Sequence, residues 1–466
     1  MTTSHHRFLI AGAGPMGLGA AFSLKRLGVE DFLVLEKDQT AGGLASSFLD
    51  PQGFVWDIGV HVHYSEIPSY NDIITSVVAG DFWARHLRQS WIWFRERRIP
   101  FPFQNHIHQL PFPLNMTCFV SLLRAAIKRK ETSPRHFKEW VLSEYGAEVA
   151  RHFFIPYNLK LWVTPLEEMA TEWVGKRVAP VDLVQIMKGF FQKPADSGWG
   201  GNRHFLYPQK GGNGQFCNAV AHSIGAGHLR FGEAITNVDL RKKVVTTPTG
   251  DYGFDHLISS IPLDELCRQT DGLSEAAQRA SRQLRFTSVD VIGIGLKGQP
   301  PSWLSEPGWF YFPGAEAPFY RLIVQSNLSP ACVPRPGETW SLLLEMARRP
   351  GDSREDGDDL RPSLQFLIQK GFVRDEASVV SVWKRRAPHG YPVPHVDRDG
   401  ALRRIMPELE ANHIFSRGRF GTWKYEIGNQ DHAFMQGVEI SERLVSGKPE
   451  TVYAEKSLMS ESGKTR

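Results

Sequence analysis

Cysteine is scarce in this 466-residue chain. The four residues, Cys118, Cys217, Cys267 and Cys332, lie far apart with no C-x-x-C pair. That excludes a disulfide framework and the common zinc spacings, and predicts reduced thiols in a cytoplasmic setting. Long apolar runs are missing too. No stretch approaches the ~18 apolar residues of a membrane-spanning helix, so no membrane contact is expected. Charge of one sign is also lacking: 54 Lys and Arg against 50 Asp and Glu leave a net charge of +4, with no long basic run. A nucleic-acid partner is therefore not expected. What remains is a globular composition, 41% hydrophobic and 22% charged, at a length that suggests two or three domains.

The opening "HHRFLIAGAGPMGLGAA" imitates a secretory leader. It makes better sense as a strand, a turn and a helix closed by Gly28, with "FLVLE" as the next strand, the first unit of a doubly wound sheet. Gly12, Gly14 and Gly17 form G-x-G-x-x-G. The first permits a tight turn, the second lets a pyrophosphate approach the backbone, and the third lets helix and strand pack closely. Glu36 stands 19 residues after Gly17, where a carboxylate accepts ribose hydroxyls. A second match, Gly293, Gly295 and Gly298, is followed by Pro300 and Pro301, so no helix can start there. It reads as a strand leaving through a glycine turn, and a separate nicotinamide domain is not evident.

Gly42 and Gly43 follow Glu36 in "AGGLASS", and Asp57 and Gly59 follow in "FVWDIGVHVHY". This extended pattern resembles FAD proteins of the glutathione-reductase and amine-oxidase type. His61 and His63 lack a carboxylate or thiol at ligand spacing, so a loop near the flavin is preferred to a metal site. Residues 114 to 193 are helical in pattern, with Ser133 expected as an N-cap and Pro134 at the first helical position. Strands recur from about 285 to 385.

Two arginines stand in unusual company. Arg177 lies in "WVGKRVAP" and Arg321 in the apolar "APFYRLIVQSN". A salt bridge is the plain explanation for each. An arginine in a buried-looking strand needs an anion partner, and a guanidinium fork matches phosphate oxygens. A second anionic ligand beside the FAD would explain both. Tyr157, Trp162, Tyr311, Tyr391 and Tyr425, with Asn158, Asn202 and Asn429, are residue types that bind a sugar.

Over nearly its whole length the chain resembles the UDP-galactopyranose mutase family, in its eukaryotic-type branch. The likeness rests on "GAGPMGLGAA", "GGLASS", "PFPFQN", "PYNLKLW", "WVGKRVA", "WGGN", "HGYP" and "SRGRFGTWKYEIGNQDH". The resemblance implies an isomerase that interconverts UDP-galactopyranose and UDP-galactofuranose. Attack of reduced flavin N5 on the anomeric carbon drives the reaction in that family, with no net redox change. It implies an α/β fold: a doubly wound, Rossmann-like FAD domain (1–90 with 200–265 and 410–453), a helical insertion (105–199), an antiparallel β-sheet domain (91–104 with 266–409) and a polar tail (454–466).

By the same resemblance, Arg177 and Arg321 clamp the diphosphate, with Tyr311, Tyr391 and Tyr425 assisting. Phe101 and Gln104 meet the uracil, and Asn158, Trp162 and Asn202 line the substrate site. Gly12, Gly14, Gly17, Glu36, Gly42, Gly43, His61, Arg419, Asn429 and Gln430 hold the cofactor. The catalytic group is Arg321, Arg177 and His61. The implied partners are a UDP-sugar and an external reductant such as NADPH, and no oligomeric state follows. The chain departs from the family at Val60, Tyr64, Phe101 and Leu328. Another nucleotide sugar, or an amine-oxidase-like FAD oxidoreductase, stays open as an alternative.

Overall fold

The computed structural model describes residues 4–128, 134–191, 204–306, 308–354 and 359–453. Its first unit is the one that the local sequence predicts: β1 (Ser4–Ala11), α1 (Pro15–Arg26) and β2 (Phe32–Glu36). The two strands are parallel neighbours, Phe8 opposite Phe32 and Ala11 opposite Leu35. Phe8, Leu9, Ile10 and Ala11 are fully buried, as a strand covered on both faces requires. Gly28 takes φ +73° just past α1, the left-handed conformation that ends a helix.

These strands sit inside an eight-stranded sheet. Its order is Thr270–Asp271, Asn237–Asp239, Val244–Thr246, Asp251–Ser259, β1, β2 and Leu229–Phe231. Ile414–Ser416 pairs in parallel with the far end of Asp251–Ser259. Strand Thr270–Asp271 thus still belongs to this sheet, a few residues past the division expected at 265. The long C-terminal helix Gln430–Ser446 packs closely on α1.

A seven-stranded sheet forms the second layer, in the order Val379–Pro392, Phe286–Lys297, Thr339–Arg348, Arg321–Val324, Gly308–Tyr311, Gln89–Phe94 and Arg97–Pro100. It is antiparallel except where Gly308–Tyr311 runs parallel to Gln89–Phe94. The second glycine match lies here. Gly293 and Gly295 are inside the strand Phe286–Lys297, and only the single helical turn Ser302–Leu304 follows, with no α-helix. A Cβ on Gly293 would fall 2.5 Å from the Trp56 ring, and one on Gly295 2.7 Å from the Phe54 ring. These glycines make room for aromatic packing between layers.

The helical segment contains Leu114–Lys128, Phe137–Val149, Ile155–Trp162 and Leu183–Phe191. The expected start at Ser133 and Pro134 is corrected. Ser133 is outside the described residues, and the helix begins at Phe137 with His136 as its N-cap, accepting from the Glu139 amide. The cause is tertiary: the Phe137 amide donates to the Met169 carbonyl at 2.8 Å. Asn202 and the tail 454–466 also lie outside the described residues.

Among those residues, no helix is long and apolar enough to cross a membrane. All four cysteines are buried and unpaired. Burial pushes each thiol up to about 12, so they act as small apolar side chains.

Candidate active site

The turn between β1 and α1 has the shape that its glycines demand. Gly12 adopts φ +96°. A Cβ on Gly17 would lie 1.8 Å from the Gly12 carbonyl oxygen, so only glycine allows this contact. Gly14 differs: a Cβ there would meet nothing within 4 Å. It faces open space at the start of α1, whose first turn has neither a side-chain cap nor an acidic residue. A pyrophosphate fits such a helix end. Glu36 accepts the Ala13 amide at 2.6 Å and the Asp38 amide at 2.9 Å. Burial raises its pKa, and those two amides oppose the rise. The second glycine pair abuts the first turn, with the Gly42 amide donating to the Ala13 carbonyl at 2.8 Å. A Cβ on Gly43 would stand 3.4 Å from Gly14 Cα. The extended glycine pattern is therefore one continuous cradle suited to FAD.

Beside this cradle runs the segment 417–429. Gly418 lies against Met16 of α1, close enough that a Cβ on it would be 3.0 Å from Met16 Cβ. From here Arg419 sends its guanidinium over two tyrosine rings, 4.8 Å from the centre of Tyr391 and 5.5 Å from Tyr425, and donates to the Gly428 carbonyl at 2.9 Å. Arg177 reaches the same ring, 5.2 Å from the centre of Tyr425. It donates to Asn429 Oδ1 at 2.8 Å, to the Glu426 carbonyl at 2.8 Å and to the Tyr425 carbonyl at 3.3 Å. Among the described residues neither arginine has an ion-pair partner. Burial and the neighbouring charge of Arg177 pull Arg419 below its ordinary value, against the two tyrosines.

Arg321 completes the cluster and differs in kind. Its fork meets the Glu345 carboxylate on the neighbouring strand, with Nε 3.0 Å from Oε1 and a shorter contact from Nη2 to Oε2. Nη2 also lies 3.4 Å from the Tyr391 hydroxyl. The anion that this apolar strand demanded is therefore supplied inside the protein, which is the salt bridge that the sequence held as the plain explanation for Arg321. Burial opposes the charge of Arg321, but Glu345 holds the guanidinium well above its ordinary range.

His61 stands near these cations. Burial, Arg419 and Arg321 lower its pKa to about 4, so the ring is neutral at physiological pH. Gly59, at φ +66°, brings the same loop against Glu345. His63 faces away. One ring nitrogen pairs with Tyr70 Oη at 2.9 Å and the other with Asn213 Oδ1 at 2.9 Å. Gln430, expected at the cofactor, has its side chain in this network, accepting from Asn213 Nδ2 at 3.2 Å.

The aromatic residues gather as their types suggested. Trp162 packs edge-on to Tyr425 at 4.9 Å and to Tyr391 at 5.9 Å, and Tyr157 meets Tyr311 at 5.7 Å. Phe101 leans on Tyr311 at 5.4 Å. Trp162 is 1% exposed and forms the floor under the tyrosines. Its indole donates to Asn158 Oδ1 at 3.1 Å, and the Asn158 amide donates to the Phe154 carbonyl. Gln104 is buried behind the Arg177 segment and donates to the Ala179 carbonyl at 2.7 Å. Leu328 belongs to the core.

Four further residues take part without a role expected of them. Glu345 could have been found, since a lone acid in "WSLLLEMA" gives the same signal as Arg321. Arg88 donates to the Tyr311 hydroxyl at 2.8 Å and lies over the Trp309 ring, with no local pattern to announce it. The Arg398–Glu426 pair, at 2.9 Å and 3.0 Å, fixes the turn that carries Tyr425.

Comparison with known proteins fits this geometry. A family model described as flavin containing amine oxidoreductase matches residues 17–330. A crystal structure of reduced UDP-galactopyranose mutase is 38% identical, with 98% of this chain and 97% of that chain covered, at a TM-score of 0.92. Putrescine oxidase bound to putrescine is 13% identical, with 96% and 100% covered, at a TM-score of 0.61. A CLA-producing fatty acid isomerase from P. acnes is 16% identical, with 94% and 99% covered, at a TM-score of 0.63. The last two share the fold alone.

Proposed function

The chain belongs to the UDP-galactopyranose mutase family, among the flavin-containing amine oxidoreductases. On that premise we propose that it interconverts UDP-galactopyranose and UDP-galactofuranose, with FAD in its reduced state and no net redox change. It is a flavin-dependent isomerase. The observation that carries the specific proposal is the meeting of Arg177, Arg419 and Arg321 around Tyr391 and Tyr425, beside the glycine cradle.

Gly12, Gly14 and Gly17, with the start of α1, hold the pyrophosphate of FAD. Glu36 holds its ribose, and Gly42 and Gly43 let it approach. His61, Arg419, Asn429 and Gln430 surround the flavin end. When bound, the reduced flavin supplies the nucleophilic nitrogen for the anomeric carbon. The protein's own work is charge and alignment. Arg177 and Arg321 hold the diphosphate, assisted by Tyr311, Tyr391 and Tyr425. They keep UDP in place while the sugar is detached from it, so that the return step is intramolecular. Phe101 and Gln104 belong to the uracil end, and Asn158, Trp162 and Asn202 to the sugar wall. A cytoplasmic setting and a nicotinamide reductant such as NADPH complete the proposal.

The test is incubation of the purified flavoprotein with UDP-galactofuranose, with and without dithionite, followed by chromatography. Conversion to UDP-galactopyranose only with reduced flavin is the expected result. No conversion, with FAD and UDP both bound, would transfer the reading to another nucleotide sugar.

A further inference from the structure

The helix Ile155–Trp162 and the paired strands Gly308–Tyr311 and Arg321–Val324 bring residues to the proposed site from different directions. The helix carries Asn158 and Trp162. The strands carry Tyr311 and Arg321, which face each other in register. The turn between the strands is closed by the Phe312 amide donating to the Tyr320 carbonyl at 2.9 Å.

Lys160 joins these parts. From the helix, its Nζ donates to the Gly314 carbonyl at 2.7 Å and to the Phe312 carbonyl at 3.1 Å. Both acceptors belong to the turn. Among the described residues Lys160 has no carboxylate at ion-pair distance. Glu316 curls back over Gly314 and is the charge that acts on it. Burial pulls the ammonium down to about 7, and Glu316 opposes that fall. Lys160 is partly buried on two carbonyl dipoles, one of them on Phe312, the residue after Tyr311.

We propose that Lys160 is a positioning residue for nucleotide-sugar binding, its ammonium fixing the Tyr311–Arg321 turn against the helix that carries Asn158 and Trp162. The inference rests on the proposed function for the identity of the ligand. A charged donor holds carbonyls more firmly than a neutral amine. Loss of the proton therefore loosens the turn, and with it the wall on which Tyr311 and Arg321 sit. Arginine keeps its charge throughout, so Lys160→Arg separates charge from mere occupancy.

The experiment measures UDP-galactose affinity by calorimetry on the oxidised holoenzyme between pH 6.5 and 8.5. The diphosphate of this ligand does not titrate in that range, and His61 and His63, lowered to about 4 and about 3, stay neutral. The wild type should weaken by about tenfold as pH rises through 7, the scale of one charge-assisted hydrogen bond. Lys160→Arg should bind at a level affinity, and Lys160→Met weakly at every pH. A level wild-type profile, or the same slope in Lys160→Arg, overturns the proposal. If Lys160→Met does not fold, the wild type and Lys160→Arg decide the matter between them. A wild type that binds no UDP-galactose at any pH overturns the functional reading itself, whereas binding with a level profile removes only the lysine.

Discussion

Arg321 and Arg177 share a residue type and a proposed ligand, yet their surroundings are opposite. Arg321 projects from a sheet strand and is bidentate on Glu345, a carboxylate 1% exposed. Arg177 ends a short helical turn and donates to two backbone carbonyls and to Asn429 Oδ1. Carbonyls fix a guanidinium without cancelling its charge, whereas a carboxylate fixes it and cancels it. One wall of the site is thus prepaired and close to neutral. The other, where Arg419 joins Arg177, carries net positive charge. The arginine count of a site therefore overstates its field.

The largest expected effect is on stability. Arg321→Ala leaves Glu345 buried without its partner and should cost about 3–5 kcal/mol of unfolding free energy, measured by urea denaturation. Replacing Arg321 and Glu345 together by apolar residues should recover much of it. A single variant as stable as wild type would break the contrast at its root.

Next comes binding. Arg177→Ala should weaken UDP binding by about 2–5 kcal/mol with little change in stability, and by more than Arg321→Ala does. Arg177→Lys should also suffer, because an ammonium presents no fork. Equal losses at the two arginines would show that Glu345 leaves the charge of Arg321 undiminished.

Acid gives a smaller, local effect. The folded protein holds His61 neutral to about pH 4, while a released loop takes the proton near 6.5. The proton therefore favours release, and docking is full above pH 6.5 and lost as pH falls towards 4. Protection against hydrogen exchange over residues 59–64, referred to the intrinsic rate at each pH, should fall as pH drops across that window, and the fall should be reduced in His61→Ala. Protection independent of pH would separate His61 from the arginines.

The smallest change is expected from Glu345→Gln. It keeps a hydrogen-bond acceptor for the fork while freeing its charge, and should tighten UDP-galactose binding by about two- to fivefold. Weaker binding would mean that the carboxylate serves to aim Arg321.

The cradle was legible because its parts are neighbours in sequence. A strand, three glycines, a helix and Glu36 follow one another, and each local preference points to the same turn. The false match at Gly293 was rejected on the same ground, by the prolines behind it. Its physical cause, the rings of Trp56 and Phe54, lay more than 200 residues away in sequence and could not be read. The aromatic types of the site were legible as types. Their division into a floor of Trp162 and Asn158 beneath Tyr391 and Tyr425 was not, because burial depends on what other elements place above a side chain.

The dinucleotide turn, the doubly wound start and the chemical inventory of the site follow from backbone preference and composition over short distances. Tertiary structure alone decided which arginine carries free charge. Arg321 and Glu345 meet because two antiparallel strands pair them in register. Arg177 and Asn429 meet across 252 positions of chain. Whether a guanidinium finds a carboxylate or a carbonyl is settled only when the strands and helices have packed.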